Sequence, residues 1–244
     1  MSAPTDPTRF VLVRTSHPGN VGAAARAMRV MGFGDLVLVA PRTPDIAAHP
    51  DALAMASGAG AVLERARVVA TLAEALTGVT HACATAMTPR DFGPATHAPR
   101  AHLPGLAAEG QRVAFVFGSE RFGLPNDDVY RCHACLSIPA DPACGSLNLA
   151  QAVQVIAYEW RQALGGFVVA PATRPHVGAD VARVQAALAH WERALVAIGF
   201  LDPGAPKKLM PRLNQLLNRA APSDEEVDIL RGIARSIETL PRRK

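Results

Sequence analysis

Apolar positions along this chain cluster into short runs and helical stripes that follow one another in turn. Phe10-Val-Leu-Val13 is a short apolar run, read as the first strand, with Arg14 to Asn20 as the loop after it. Val21, Ala24, Ala25, Met28 and Met31 then recur at helical spacing, and Gly32 to Gly34 ends that helix. Asp35 to Ala40 supplies a second strand and closes a strand–helix–strand unit, which is how parallel sheets are built. From Pro41 to Thr80 the pattern is alanine-rich and helical, over Asp51 to Met55 and again over Leu72 to Leu76. His81-Ala-Cys-Ala84 is a brief strand, and its end, Thr85-Ala-Met87, lies level in the sheet with Gly118. Pro89 to Gly110 shows little periodicity and reads as a long loop with room for a short helix, a length that often signals function in a compact domain.

The rest of the chain is organised around residues 112–160. Val113 to Phe117 is a continuous apolar run ending at Gly118, which suits a strand buried on both faces of a parallel sheet. Gly118 and Gly123 bracket Glu120 and Arg121, and glycines at a strand's carboxyl end let backbone approach a ligand closely. This turn is therefore expected to wall a site, and a bulky residue at Gly118 to block it. Pro125 and Asn126-Asp-Asp128 open a short helix to about Cys132, and Ala134 to Ile138 is a further strand. Ser146 is read as the N-cap of a long helix with Leu149, Ala152, Val153, Ile156, Ala157 and Trp160 on its apolar face. The free N–H groups of that helix start, flanked by Ser146 and Asn148, face the turn carrying Glu120, so a strand end and a helix start share one crevice.

After Gly165-Gly166 the composition changes. Residues 167–175 read as a linker, followed by an amphipathic helix over 179–199 with Val181, Val184, Leu188, Trp191, Leu195 and Ile198 on one face. Two more helices cover about Lys207 to Asn218 and Asp224 to Thr239, the last capped by Ser223. The predicted organisation is an α/β domain over 1–166 and a helical domain over 176–244. The first is expected to be an open sheet of five or six parallel strands with helices on both faces.

Composition narrows the function classes. With 49% hydrophobic and 19% charged residues the chain of 244 is neither disordered nor fibrous. No apolar run reaches the roughly 18 residues that span a bilayer, and no basic-then-apolar leader opens the chain, so a cytoplasmic protein without a membrane partner is expected. The net charge of +4 mildly favours a polyanionic partner, and Lys207, Lys208, Arg212, Arg219 and Arg242 to Lys244 concentrate charge near the C-terminus. Cys132-His-Ala-Cys135 has the spacing of half a zinc site, with His133 and Cys144 as further donors, but no second C-x-x-C follows. Buried thiols and no metal are expected there. Asn20 and Gly22 lie ahead of the first helix, yet no G-x-G-x-x-G is present, so a dinucleotide loop is excluded. Arg26 lies close to that helix's buried face, where its guanidinium either meets a partner or the site, or simply snorkels.

Three stretches together resemble a known family. His17-Pro-Gly-Asn-Val-Gly-Ala-Ala-Ala-Arg-Ala-Met28, Phe117-Gly-Ser-Glu-Arg-Phe-Gly-Leu124, and Ile138-Pro139 with Ser146-Leu-Asn-Leu-Ala-Gln-Ala-Val153 look like the motifs of the SpoU/TrmH-type RNA 2′-O-ribose methyltransferases of the SPOUT superfamily. The resemblance implies a C-terminal trefoil knot in the sheet domain, a homodimer packed through the knot helices, and S-adenosylmethionine as methyl donor. It implies donor binding by Thr85, Ala86, Met87, Gly118, Ile138, Ser146 and Leu147. It also implies a catalytic set of Arg26 with Asn20, Glu120, Ser146 and Asn148. Ile198-Gly-Phe-Leu201 and Glu226-Val-Asp-Ile-Leu-Arg-Gly-Ile233 resemble the C-terminal extension of a tRNA-acting branch, which implies methylation of cytidine or uridine 32 in the anticodon loop. Ribosomal RNA as substrate, and a non-catalytic RNA-binding scaffold, are the alternatives. For Pro89 to Gly110, RNA contact and a plain surface excursion stay open.

Overall fold

The computed structural model describes residues 6–143, 145–170 and 175–239, in two units, Met1–Val168 and Val169–Lys244. Cys144, Pro171 and the Arg242 to Lys244 tail lie outside the described residues.

In the first unit β1 (Asp6–Val13) pairs with β2 (Phe33–Val39) on one side, and β3 (Arg67–Val69) extends that edge. On its other side lies β6 (Val113–Phe117), followed by β4 (His81–Thr85), β7 (Ala134–Leu136) and β5 (Thr96–His97). All pairings are parallel, giving the order β3-β2-β1-β6-β4-β7-β5. Among the described residues seven strands stand where five or six are expected. The additions are the edge strands β3 and β5, of three and two residues, too short to leave a periodic signal.

Strand alternation sorts the core into two layers. Phe10, Leu12, Phe115 and Phe117 point to one face, covered by α1 (Pro18–Val30), α2 (Pro50–Ala56), α3 (Gly60–Glu64), α5 (Pro99–Ala108) and α7 (Leu149–Ala163). Val11, Val13, Ala114 and Val116 point to the other, covered by α4 (Leu72–Ala75) and α6 (Asn126–Val129). Phe10 anchors the first layer, with ring centroids of Phe33 and Phe115 at 5.4 and 5.5 Å. The buried Trp160 indole stays satisfied by donating to Thr8 Oγ1 at 2.7 Å. Helices α1 and α2 cross so closely that a Cβ on Gly22 would stand 2.0 Å from the Ala52 carbonyl oxygen, which explains a glycine there.

Three expectations are corrected. Asn148, not Ser146, caps α7: its side chain accepts from Ala150 N–H, and Gln151 reaches back to the Asn148 N–H in a capping box. The helix therefore starts two residues later than Ser146 implied. Pro89 to Gly110 holds a ten-residue helix, α5, because Pro99 occupies its first turn, where no N–H is needed. Burial of Leu103 and Leu106 offsets the interior Pro104, a residue that costs a helix about 3 kcal/mol. The helix after Pro125 ends at Val129 rather than near Cys132. The apolar stripe of α7 is consumed within this unit, with Val153, Ile156, Ala157 and Trp160 buried against the sheet and α1.

The second unit packs α8 (Val181–Ala197), α9 (Leu209–Ala220) and α10 (Asp224–Glu238) around Val184, Ala187, Leu188 and Val227. Ser223 caps α10 in a capping box with Glu226, as its sequence predicts. Of the expected α8 stripe, Val184, Leu188 and Leu195 are buried, while its ends Val181 and Ile198 are exposed. Lys207, Lys208, Arg212 and Arg219 are all exposed. Among the described residues no helix is long and apolar enough to cross a membrane.

Candidate active site

The site follows from the insertion of β6 between β1 and β4. Leu12 of β1 stands beside Phe117 of β6, and Ala84 of β4 beside Val116, so three strands from distant parts of the chain end side by side. Ligands of open α/β sheets sit outside such carboxyl ends, where strand order reverses. Here the ends enclose a cavity of about 370 Å³.

Thr85, Ala86 and Met87 enter the cavity from the end of β4, Gly118 from β6, Ile138 from beyond β7, and Ser146 and Leu147 from the approach to α7. All seven residues singled out for donor binding therefore line one space. Its walls are shaped locally. Thr85 Oγ1 donates to the Val116 carbonyl at 2.9 Å, and Ala86 N–H donates to the Leu136 carbonyl at 3.1 Å, which holds the β4 end between its neighbours. Ser119 and Gly123 exchange two backbone hydrogen bonds, closing the turn. A Cβ on Gly118 would lie 2.0 Å from the Gly123 carbonyl carbon and 2.2 Å from Leu124 N. Gly118 thus lacks a side chain because the turn folds back onto it. Bulk at Gly118 would therefore meet the backbone of the turn that walls the pocket before it reached the pocket itself.

In the cavity wall, Glu120 receives five hydrogen bonds from the β1–α1 connection and the first turn of α1. Thr15 Oγ1 and Asn20 Nδ2 donate to Oε1 at 2.9 and 3.1 Å, His17 N–H to the same oxygen at 3.3 Å, and Ser16 N–H and Oγ to Oε2 at 3.1 Å each. Burial pushes the Glu120 carboxyl up, but the donors from Asn20, Ser16 and Thr15 outweigh it and hold it at about 2. The anion also sits at the positive end of α1, a helix with neither a side-chain cap nor an acidic residue in its own first turn. Both Glu120 oxygens are thus engaged, and the carboxylate is held in place by five donors.

Asn20 passes the connection on: its Oδ1 accepts from Asn148 Nδ2 at 3.0 Å. The starts of α1 and α7 and the β6 turn are thereby tied through Asn20, Asn148 and Glu120. Four of the five residues expected to do chemistry are near one another, counting Ser146 in the cavity wall. Arg26 is not among them. It projects from the exposed side of α1 and does not line the cavity. Sequence reading missed Thr15 and Ser16, which lie in what reads as a plain loop; the signal was a Thr-Ser pair directly after a buried strand. Arg121, in the turn expected to wall a site, and Arg90, in the Pro89 to Gly110 stretch where RNA contact stayed open, add two cations to the cavity wall. The Cys132-x-x-Cys135 pair does not converge with His133, whose Nδ1 accepts from Ala82 N–H at 3.1 Å.

Comparison with known proteins shows the family of the chain. Residues 7–158 match the SpoU rRNA Methylase family, and residues 182–244 match the tRNA methyltransferase TrmJ, C-terminal domain. The tRNA (cytidine/uridine/adenosine-2′-O-)-methyltransferase TrmJ of Pseudomonas aeruginosa is 44% identical over 97% of this chain and 96% of its own. The tRNA (cytidine/uridine-2′-O-)-methyltransferase TrmJ of Klebsiella pneumoniae is 43% identical over 94% and 96%. The crystal structure of TrmJ from Z. mobilis superposes with a TM-score of 0.81 at 33% identity, over 95% of this chain and 99% of that one. From motif, fold and full-length similarity alike, this chain belongs to the SpoU methylase family, in its TrmJ-type branch.

Proposed function

We propose that this chain is an S-adenosylmethionine-dependent tRNA ribose 2′-O-methyltransferase acting on cytidine or uridine 32 of the anticodon loop. The observation that carries the reading is the cavity at the ends of β4, β6 and β7, tied to the starts of α1 and α7, in a chain similar to TrmJ proteins over nearly its whole length. The cavity fits the donor in kind. Its volume falls within the roughly 300–1,000 Å³ of small-molecule sites, apolar Leu136 and Ile138 can pack a flat base, and strand-end backbone can bind polar groups. When bound, S-adenosylmethionine supplies an electrophilic methyl group on a sulfonium.

The chain's own residues then have distinct tasks. Arg26 fixes a phosphate next to the target ribose and stabilises the alkoxide developing on O2′, while the proton leaves to that phosphate or to water. A guanidinium holds its own proton too tightly to act readily as the base. Glu120, Asn20 and Asn148 hold the strand end and helix starts in register, and Ser146 presents the wall nearest α7. Because Arg26 is exposed and outside the cavity of its own subunit, we assign it to the cavity of a second subunit in a homodimer. The reading includes the family's trefoil knot, formed by the Thr85 to Met87, Gly118 to Leu124 and Ile138 to Asn148 loops, and a cytoplasmic setting in which tRNA is met.

The family description for residues 7–158 favours ribosomal RNA as a second reading, and the match of residues 182–244 favours tRNA. Methylation of bulk tRNA and of ribosomal RNA, with mapping of the modified nucleotide, decides between them. Arg26→Lys keeps the charge but loses the planar fork, so turnover should fall by orders of magnitude with donor affinity, measured by calorimetry, nearly unchanged. Turnover near that of the wild type in Arg26→Ala with saturating tRNA would remove Arg26 from the mechanism. A chain that binds no S-adenosylmethionine would instead be a non-catalytic RNA-binding scaffold.

A further inference from the structure

At the opposite end of β4 from the cavity, roughly 13 Å along the strand from Thr85, His81 joins a chain of four imidazole rings, His133, His81, His102 and His97, that runs past the buried thiol of Cys83. His97 and His102 stack with centroids 4.4 Å apart and planes 3° from parallel. His133 stacks on His81 at 4.9 Å, and His81 and His102 lie 6.0 Å apart. Alternation along β4 puts His81 and Cys83 on the same face, the one covered by α5, which carries His102. Donor atoms of His81, Cys83 and His102 all lie within 4.8 Å of one another.

A second observation points to a ligand. Nε2 of His81 and Nε2 of His102 are buried and have no hydrogen-bond partner among the described residues. Buried polar atoms are rarely left so, and two in one cluster call for an unplaced partner. The neighbouring His133 shows the contrast, since its Nδ1 is engaged by the Ala82 N–H.

We propose that His81, Cys83 and His102 supply three ligands of a site for a divalent transition metal of the zinc class, with water in the fourth position, which ties α5 to β4. Two imidazole nitrogens and a thiolate suit zinc, and a soft thiolate selects against magnesium and calcium. Donors around tetrahedral zinc lie roughly 3.3–3.6 Å apart, so side-chain rotations of about 1 Å would close the cluster. Burial and the neighbouring rings hold His81 and His102 below the usual histidine range. Burial also pushes the Cys83 thiol up to about 12, so binding must release its proton to solvent as the metal–sulfur bond forms. Glu109, two turns of α5 beyond His102, is the acidic group whose field both rings feel, and it offsets part of the added charge. The site differs from the Cys132-x-x-Cys135 pair, whose thiols pack on the other face of the sheet.

The test is cobalt titration of the full chain after chelator treatment, followed by displacement with zinc. Wild type should take up one cobalt per chain with a thiolate-to-cobalt charge-transfer band, and zinc should raise its melting temperature. Cys83→Ala should lose the band. His102→Gln leaves the thiol in place and should weaken binding by more than about 10-fold, the low end for losing even an outer-shell partner. Cys132→Ala should change neither. Failure of the wild type to bind, a band that survives in Cys83→Ala, or unchanged affinity in His102→Gln would each overturn the assignment. If Cys83→Ala does not fold, His102→Gln decides alone.

Discussion

Glu120 illustrates how one side chain joins two segments that are far apart in sequence, with Asn20 carrying the link on to Asn148. Its partners lie about a hundred residues away, and the depressed carboxyl is the thermodynamic trace of that network. The sign is that of a folded-state value lowered from the ordinary 4.5 to about 2, so the network stabilises the fold above the ordinary value. This contribution fades as pH falls from about 4.5 toward 2. Glu120→Gln, which accepts through one oxygen only, should be less stable than wild type at neutral pH, and the two should converge in acid. Denaturant unfolding of both proteins across that range checks it, and a pH-independent difference would deny the charged network. Glu120 could be singled out from the sequence because glycines bracket it. Thr15 and Ser16 could not, because their role depends on β6 lying beside β1, a pairing that no local pattern encodes.

Elements were legible wherever their apolar period was strong, as in α1, β6 and α10. They were obscured where one residue type carries two meanings. Proline ordinarily interrupts helices, yet Pro99 starts α5, and the burial that tolerates Pro104 exists only in the packed fold. Ser146 and Asn148 are both good caps by type. Gln151 stands three residues after Asn148, and that reciprocal pair decides the start of α7. Gly118 belongs to this scale too, since its missing side chain lets the Ser119–Gly123 turn close. Gly118→Ala should destabilise the first unit by about 1–3 kcal/mol, the usual cost of forcing an extra carbon into packed structure. Chemical denaturation measures this, and an unchanged midpoint would show that the turn yields freely.

At the scale of the whole molecule, two units with separate cores allow separate tests. A chain ending at Val168 keeps both layers of the sheet core and every cavity residue named above, so it should bind S-adenosylmethionine as the full chain does. It loses the exposed Lys207, Lys208, Arg212 and Arg219, whose contacts to phosphates carry affinity without reading sequence. tRNA binding should therefore weaken and depend less on salt, as filter binding at two ionic strengths would show. Undiminished activity on tRNA would deny the helical unit its role.

By itself the sequence determined the parallel α/β class, the helical C-terminal unit, the family motifs and the residues that line the cavity. Each of these rests on local periodicity, on turn chemistry or on short runs of residue types whose meaning survives without a partner. Only the tertiary structure decided the strand order, the exposure of Arg26 away from the cavity, and the gathering of His81, Cys83 and His102. Strand order is set by which hydrophobic faces can be buried together, a sum over the whole chain. A side chain's surroundings follow from that sum, so residues separated by twenty or a hundred positions acquire their chemistry only when β6 takes its place between β1 and β4.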